Sequence, residues 1–401
     1  MPAAEQPGQQ AEPLQQALAS SADGDGQRQM VEMPTSSSDG GPSQKGRQLQ
    51  QPVKRTISET PSHTGTLMGA REIASNEGLE SGRLAISLDG SIMASTFRSG
   101  SWRFLDTVRM WNLPDKACCW ETQYSGSFVQ NSRLAQPIVT DVSLTQNGSS
   151  IMTSSRHFES QGESGLIRVW STATGSQRVS LSSAHPVSRV APVGADAAHI
   201  ASLAYGSGRA PHASLWNLDT AQLIDSFDFA DAKDSSVQGT SLAALSGGST
   251  CLVGYEKGFS LWDLRAHQKA DLLGGKGRVG TATEPDSVRD VAAKPDGSLC
   301  VTAMQSGAIM VWDLRAPQSC VATLKVHEKA ATSVSFAPDS RHFISGSADQ
   351  TVRVLDLDGG QCKLTMRGHA AGVTSVVAFP DGMNCASASL DGTIRLWRYA
   401  D

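Results

Sequence analysis

Two histidines near the end of the chain stand in matching polar surroundings. Asp349 follows His327 after 22 residues, and Asp391 follows His369 after the same interval. Histidine and aspartate are residue types that bind metals and act as general acids or bases. They also satisfy each other by hydrogen bonding when both are buried. The repeated spacing argues against coincidence and directs attention to the elements that carry it.

Other motifs lack the residues that their chemistry requires. The segment Gly274-Gly275-Lys276-Gly277 does not have the GxxxxGK[ST] spacing of a phosphate-binding loop, which favours a flexible loop. His327-Glu328 begins like a zinc-protease helix, but no second histidine follows four residues later. Cys118-Cys119 have only Lys116 nearby to lower a thiol pKa, and no GxSxG segment is present. The sequence therefore predicts no catalytic site, no metal site and no cofactor, and we expect a protein that is not an enzyme.

The charge and composition of the chain indicate which classes of partner and which compartments it favours. The 401 residues carry a formal net charge of -5 and a pI near 6.0, so no overall basic field attracts nucleic acid or an anionic membrane. The start of the chain does not resemble a secretory signal, and no run of 18 apolar residues occurs. Seven cysteines without a CxxC pair predict reduced, mostly buried thiols. These features predict a cytoplasmic or nuclear protein without a membrane partner.

Seven residues, spaced 42 to 59 positions apart, each close a short apolar run. They are Trp111, Trp170, Trp216, Trp262, Trp312, Leu355 and Trp397. In the last unit, an alternating run from Val373 to Phe379 precedes the turn Pro380-Asp381-Gly382, and two further strand-like runs follow. A period near 40 to 45 residues that ends in tryptophan is typical of a propeller, in which each repeat supplies a four-stranded blade.

These units resemble the WD-repeat family of β-propellers, most clearly in the last two repeats. Trp262-Asp263 and Trp312-Asp313 also fit that pattern well. In this family a buried histidine, a serine or threonine, the turn aspartate and the tryptophan form one hydrogen-bonded set. The resemblance implies an all-β, seven-bladed propeller whose ring closes by pairing N-terminal and C-terminal strands.

The family pattern assigns structural roles to the polar residues of the last two repeats. In the last repeat the implied set is His369, Ser387 or Ser389, Asp391 and Trp397. In the repeat before it, the implied set is His327, Ser345 or Ser347, and Asp349. Leu355 replaces the tryptophan there and removes the indole donor. We expect these residues to tie strands together and not to act as ligands or bases.

The chain divides into a tail and the propeller. Residues 1–60 are rich in Gln, Ser, Gly and Pro and predict a disordered tail, and residues 61–401 predict the propeller. The stretch from Gly65 to Ile73 is positioned to supply the outer strand of the last blade. Extra residues predict a lengthened turn at Ser155 to Gly165 and an excursion from His267 to Ser287.

A duplicated tetrapeptide is the best clue to function. Trp-Asp-Leu-Arg occurs in two consecutive repeats and places two Asp–Arg pairs at blade rims, Asp263 with Arg265 and Asp313 with Arg315. Such copies resemble the WDxR motif of substrate receptors of cullin-RING ubiquitin ligases, although the turn aspartate of that motif is missing. We expect a scaffold that binds other proteins or peptides. The alternative is a substrate receptor that contacts the ligase adaptor through these segments.

Aromatic residues outside the repeat pattern leave two interpretations open. Trp102, Phe104 and Trp120 lie near Arg98 and Arg103 and could form a recognition patch. They could equally pack inside an enlarged turn.

Overall fold

The computed structural model describes residues that all belong to one compact unit, Gln50–Asp401. The described ranges are 56–57, 71–74, 79–99, 106–115, 117–123, 137–159, 162–194, 198–206, 209–228, 239–245, 250–255, 258–263, 268–269, 286–315 and 320–399. Most of the predicted tail, residues 1–60, lies outside them. Within these ranges the regular structure is all strand, and no helix there is long and apolar enough to cross a membrane.

The first three blades follow one another along the chain, each with four antiparallel strands. Blade 1 contains β3 (Leu79–Ile86), β4 (Ile92–Ser99), β5 (Thr107–Asn112) and β6 (Ala117–Gln123). Blade 2 contains β7 (Ile138–Leu144), β8 (Ser150–Glu159), β9 (Gly162–Ser171) and β10 (Gln177–Ser183). Blade 3 contains β11 (Val187–Val193), β12 (His199–Gly206), β13 (Arg209–Asn217) and β14 (Gln222–Asp228).

The remaining four blades repeat this order. Blade 4 contains β15 (Gly239–Ala244), β16 (Thr250–Tyr255), β17 (Gly258–Asp263) and β18 (Gln268–Lys269). Blade 5 contains β19 (Val288–Ala293), β20 (Leu299–Met304), β21 (Ala308–Asp313) and β22 (Cys320–Lys325), with β1 (Thr56–Ile57) parallel to β22. Blade 6 contains β23 (Ala331–Phe336), β24 (His342–Ser347), β25 (Thr351–Asp356) and β26 (Cys362–Arg367). Blade 7 contains β27 (Val373–Ala378), β28 (Asn384–Ser389), β29 (Ile394–Arg398) and β2 (Arg71–Ala74).

The seven blades form a closed ring. The first strand of each blade lies against the first strand of the next, and β27 of blade 7 lies against β3 of blade 1. The buried apolar residues fall into seven clusters, one at each seam between neighbouring blades. Third strands such as β21 and β25 are buried along most of their length, whereas the outer strand β26 is largely exposed.

The predicted ring closure is confirmed. β2 pairs antiparallel with β29, with Arg71 opposite Leu396, and supplies the fourth strand of blade 7. The closing strand, Arg71–Ala74, lies at the end of the predicted stretch and not along its whole length. All seven landmark residues lie in the third strand of their blades, as the count of repeats predicts. An N-terminal segment thus removes the edge that blade 7 would otherwise expose.

The turn chemistry predicted for the last repeat is also present. The N–H of Gly382 donates to the carbonyl of Phe379 over 3.1 Å, and Gly382 has a φ of 68°, which is accessible to glycine without strain. The Asp381 carboxylate accepts from the N–H groups of Met383 and Asn384 at 2.8 and 2.9 Å. These bonds fix the hairpin that joins β27 to β28.

The predicted lengthened turn at residues 155–165 is a longer hairpin instead. β8 and β9 each have ten residues, against six in strands such as β24 and β25, and they pair as far as Glu159 opposite Gly162. Backbone pairing between β8 and β9 continues through this segment, so the added residues lengthen the two strands and do not form a loop. In the predicted excursion from His267 to Ser287, only β18 and residues 286–287 lie within the described ranges.

Candidate functional site

A continuous chain of hydrogen bonds joins the polar residues of blade 7. The indole N–H of Trp397 donates to Ser387 Oγ over 2.7 Å, and Ser387 Oγ lies 2.7 Å from His369 Nε2. His369 Nδ1 lies 3.0 Å from Asp391 Oδ2. Donors and acceptors match when the serine hydroxyl donates to Nε2 and the Nδ1–H of a neutral imidazole donates to the carboxylate. All four groups are thereby satisfied without water.

Blade 6 carries a shorter version of this chain. His327 Nε2 lies 2.8 Å from Ser345 Oγ, and His327 Nδ1 lies 2.9 Å from Asp349 Oδ2. Leu355 is fully buried at the tryptophan position, so no indole reaches Ser345. Of the serines left open by the sequence, Ser345 and Ser387 contact the histidines. Ser347 and Ser389 instead donate to backbone carbonyls.

Burial and hydrogen bonding set the charges in these chains. Burial lowers the pKa of His327, and the opposing effect of Asp349 does not reverse the shift. Although burial opposes it, hydrogen bonds from Thr393 and from the N–H of Ala370 lower the pKa of Asp391 to about 2. At neutral pH His327 is therefore neutral and lies against the charged Asp349 in blade 6. In blade 7, Asp391 is charged. The arrangement ties each histidine, in the loop before the first strand of its blade, to a serine of the second strand and to the turn that follows that strand.

The two serines make different numbers of contacts, which leads to a testable difference. We expect Ser387→Ala to destabilise the fold by roughly 2–4 kcal/mol, because it leaves both an indole N–H and an imidazole nitrogen buried without a partner. Ser345→Ala should cost only about 1–2 kcal/mol, because one imidazole nitrogen loses its partner. Urea unfolding of the two variants measures the difference. Equal losses would show that the indole bond contributes nothing.

The tryptophan–hydroxyl bond recurs in blades that sequence patterns left unassigned. Indole N–H groups donate to side-chain hydroxyls at 2.8 to 3.1 Å in four further blades, in the pairs Trp111–Ser95, Trp170–Thr153, Trp216–Ser202 and Trp312–Thr302. Each acceptor lies on the second strand, two residues beyond the residue opposite the tryptophan. In blade 4 that position is Val253, opposite Ser260. The acceptor hydroxyls can be seen in the sequence, but their separation from the tryptophan changes with the length of the hairpin, which hides the pattern.

A second recurring position lies on the first strand of each blade, just after its bulge, and we call it the channel position. In five blades its side chain accepts a hydrogen bond from a backbone N–H of the next blade, at 3.0 to 3.2 Å. These five residues are Asp141, Ser241, Asp290, Ser333 and Ser375. Arg83 and Arg189 occupy the position in blades 1 and 3. The position therefore ties neighbouring blades together around the axis of the ring.

Arg83 reaches across this axis. Its Nη1 lies 3.7 Å from Asp290 Oδ2, although blades 1 and 5 are not neighbours in the ring. Asp290 also accepts from Ser241 Oγ at 2.6 Å and from the N–H of Val334 at 3.1 Å. Sequence patterns did not indicate this ion pair, because Arg83 and Asp290 lie on different blades and are far apart in the chain.

The carboxyl of Asp141 has a raised pKa. Burial raises its pKa to about 7, against the lowering effects of Arg83 and of hydrogen bonds from the N–H groups of Val190 and Val142. The negative charge of Asp290 raises it further. Asp141 therefore changes its charge in the neutral range, and a sequence pattern alone cannot indicate such a shift.

The described residues include only part of the two Trp-Asp-Leu-Arg segments. Arg315 folds back on its own Asp313, with its Nε and Nη2 each 3.0 Å from a different carboxylate oxygen. Its side chain is 72% exposed at the rim of blade 5. Asp263 ends β17, but Arg265 lies outside the described residues. The structure thus shows one exposed, preorganised Asp–Arg pair and does not describe the second.

Of the aromatic residues outside the repeat pattern, Trp120 packs between blades. Its ring centroid lies 5.3 Å from that of Trp170, and its indole covers Gly175 in the turn between β9 and β10. Trp102 and Phe104 lie outside the described residues. For Trp120 the structure favours the packing interpretation over an open recognition patch.

Gly175 gives a direct test of this packing. It has a φ of 67°, and a Cβ added there would overlap the Trp120 ring. We expect Gly175→Ala to destabilise the fold by roughly 2–3 kcal/mol, the sum of backbone strain and overlap. In a Trp120→Ala background the same change should cost only about 1 kcal/mol, since strain alone remains. Thermal and urea unfolding of the double-mutant cycle measures this, and equal costs in both backgrounds would contradict it.

The cysteines follow the strand pattern. Cys251, Cys300 and Cys385 are buried, and burial raises the pKa of their thiols. Each lies opposite the tryptophan of its blade. The expectation of mostly buried thiols is wrong for Cys118, Cys119 and Cys362, which are exposed.

The repeat model described as WD domain, G-beta repeat matches residues 278–313, 318–356 and 360–398. The second match begins before β22, the outer strand of blade 5, and ends with β25, the third strand of blade 6. The third match has the same offset between blades 6 and 7. These two sequence repeats therefore join the outer strand of one blade to three strands of the next, which explains why an N-terminal strand completes blade 7.

Two curated relatives are beta subunits of guanine nucleotide-binding proteins. The protein from Zea mays is 30% identical over 123 residues, which cover 31% of this chain and 30% of the relative. The protein from Arabidopsis thaliana is 29% identical over 119 residues, which cover 30% and 29% of the two chains. The match thus spans less than a third of the relatives' own length. The seven-bladed ring is a β-propeller, and the repeat matches show that the part of it within residues 278–398 is built from WD repeats.

Proposed function

We propose that this protein is a non-enzymatic scaffold that binds other proteins or peptides in a multiprotein complex. The observation that carries the proposal is the similarity to proteins named as beta subunits of guanine nucleotide-binding proteins, because a subunit is a component of an assembly. The histidines and aspartates that might have suggested catalysis support it as well. In blades 6 and 7 they are engaged in hydrogen bonds with one another and with the hydroxyl groups of Ser345 and Ser387.

Exposed apolar side chains provide candidate contact points. Leu88 and Met383 lie on turns of blades 1 and 7 and are 65% and 40% exposed. The two turns are neighbours, because Gly90 of the first approaches Pro380 of the second. Leu390 is 48% exposed on the turn between β28 and β29. Such side chains at the centre of an interface supply binding energy when a partner covers them.

Affinity purification of the full chain followed by quantitative mass spectrometry tests the scaffold proposal. We expect one or a few proteins to co-purify in amounts comparable with the bait, and the endogenous protein to elute well above its 42.3 kDa mass in size-exclusion chromatography. Elution at the monomer mass, with no protein enriched over a tag-only control, would contradict a role in assembly.

A second candidate function is a substrate receptor of a cullin-RING ubiquitin ligase. The exposed Asp313–Arg315 pair favours it, because a guanidinium already oriented by one carboxylate loses little entropy when it binds a second one on a partner. In this proposal Asp263 and Arg265 of the preceding blade provide the matching contact with the ligase adaptor. The proposed role as a substrate receptor rests on these two segments alone.

Charge reversal at both arginines distinguishes the receptor from the general scaffold. We expect Arg265→Glu with Arg315→Glu to abolish co-purification of the ligase adaptor without changing the melting temperature. Arg341→Glu is a matched control, because its side chain is also 72% exposed and faces the carboxylate of Asp358 at 3.7 Å. If the double variant retains the adaptor, the receptor role fails while the scaffold proposal stands.

A further inference from the structure

Within the described residues, blade 5 has five strands and each of the other blades has four. Its own strands, β19 to β22, form a complete blade, and β1 adds to the outer edge of β22 as a fifth strand. β1 runs parallel to β22, with Thr56 opposite Thr323 and Ile57 opposite Leu324. Ring closure does not need this strand, because β2 completes blade 7. The pairing therefore shows a property of the β22 edge, which accepts an additional strand.

The outer strand of blade 5 lacks the charges that protect other outer edges. Charged residues within an edge strand discourage pairing with a further strand. Among the described outer strands of six or more residues, the other four carry such a charge before their last residue, namely Glu121 in β6, Arg178 in β10, Asp225 in β14 and Lys363 in β26. β22 has the sequence CVATLK and is charged only at its last residue, Lys325. The strand whose sequence least opposes strand addition is thus the one that β1 pairs with.

β1 covers only part of this edge. It pairs with two of the six residues of β22, and within the described part of the chain no other strand lies along the same edge. Val321 of β22 is 45% exposed. A two-residue strand forms few backbone hydrogen bonds, whereas a longer extended segment of another protein forms more of them along the same edge. A longer segment can therefore displace β1.

We propose that the outer edge of β22 binds an extended, uncharged segment of a partner protein, which adds to blade 5 as a parallel strand, and that β1 occupies this edge in the unbound protein. The proposal deepens the scaffold function and rests on it, because the ligand is a segment of a bound protein. The edge favours an uncharged ligand, because β22 offers no charge before Lys325 to compensate one on the partner. The residues of β1, Thr56 and Ile57, are both β-branched, a type that suits strands.

Fluorescence anisotropy with the purified full-length protein and two labelled peptides tests the site. One peptide contains the Thr-Ile pair of β1 three times between terminal lysines, and the other has proline in place of each isoleucine, which removes backbone donors. Thr56→Pro with Ile57→Pro frees the β22 edge. Thr323→Glu in that background adds a charge at the position where blade 1 has Glu121. Thr365→Glu is the matched control, because Thr365 has the same position in β26 and is half-buried like Thr323.

We expect the Thr-Ile peptide to bind the variant with the freed edge at least fivefold more tightly than the unmodified protein, because a competitor on the same chain has been removed. Adding Thr323→Glu should reduce that affinity at least fivefold, and adding Thr365→Glu should leave it unchanged. The proline peptide should bind none of these proteins. Hydrogen exchange should show that the bound Thr-Ile peptide protects backbone amides of β22 and not those of β26.

Equal binding of the two peptides, no gain in affinity when the edge is freed, or unchanged affinity with Thr323→Glu would overturn the proposal. A concentration-dependent dimer of the unmodified protein that disappears in the Thr56→Pro, Ile57→Pro variant would assign the edge to a second copy of this chain and would contradict it as well. If Thr323→Glu does not melt cooperatively, hydrogen exchange of the freed-edge variant decides, because that variant leaves blade 5 itself unchanged. Failure of these defined peptides leaves the co-purification test of the scaffold function unaffected.

Discussion

A chain that begins at residue 77 melts about 5–10 °C below one that begins at residue 58, and it aggregates on heating. The two chains differ by one described strand, β2, which pairs with β29 to complete blade 7. Loss of that strand removes the backbone bonds between Arg71–Ala74 and β29, worth roughly 2–4 kcal/mol in total, and exposes the edge of β29. An exposed edge strand is a template for pairing with another chain.

Differential scanning calorimetry and light scattering measure this effect. The chain starting at residue 58 also lacks β1, so its comparison with the full chain reports separately on the short parallel pairing with β22. In the full chain, Glu72→Pro provides a second way to disturb β2, because proline removes a backbone donor from the strand. Equal melting temperatures for chains starting at 58 and 77 would show that ring closure through β2 does not stabilise the propeller.

Sequence periodicity was sufficient to predict the architecture. The seven landmark residues end apolar runs at regular intervals, and all seven occupy third strands. This worked because burial on both faces forces a similar apolar pattern on each third strand. Periodicity alone does not predict the structure of residues 155–165, because residues inserted between two strands can either form a loop or lengthen both strands. Pairing between residues on the two strands decides between these outcomes, and the pattern along a single strand does not indicate it.

The hydrogen-bonded sets of blades 6 and 7 could be anticipated because all members recur at constant spacing. The hydroxyl acceptors in blades 1, 2 and 3 could not, because their separation from the tryptophan is 14 to 17 residues instead of the ten found in blades 5 and 7. The channel position was harder still. Arg83 and Asp290 are more than two hundred residues apart and meet only because the ring closes. Only the register of the first strands identifies them as equivalent.

Asp141 makes the stability of this protein fall as the pH rises from its ordinary pKa of 3.8 to about 7. Burial raises its folded-state pKa to about 7, above the ordinary value of 3.8, so between these values the folded protein holds a proton that the unfolded chain has released. Bound protons in excess in the folded state mean that the free energy of unfolding decreases with increasing pH. For one such group the decrease between pH 5 and pH 8 is about 3 kcal/mol.

The contribution of Asp141 can be separated from that of other groups by comparing variants across pH. His327 acts in the opposite direction, because its pKa is lowered by burial and stability is gained as the pH rises through its unfolded value. The useful quantity is therefore the difference in unfolding free energy between Asp141→Asn and the unmodified protein, measured by urea titration from pH 5 to pH 8. This difference should move in favour of the variant by about 3 kcal/mol as the pH rises. Asp381→Asn should show no such trend, since hydrogen bonds from Asn384 and Met383, though opposed by burial, lower the pKa of Asp381 and keep it charged throughout. A pH-independent difference for Asp141→Asn would mean that the neighbouring cation and N–H groups fully compensate the carboxylate in the folded protein.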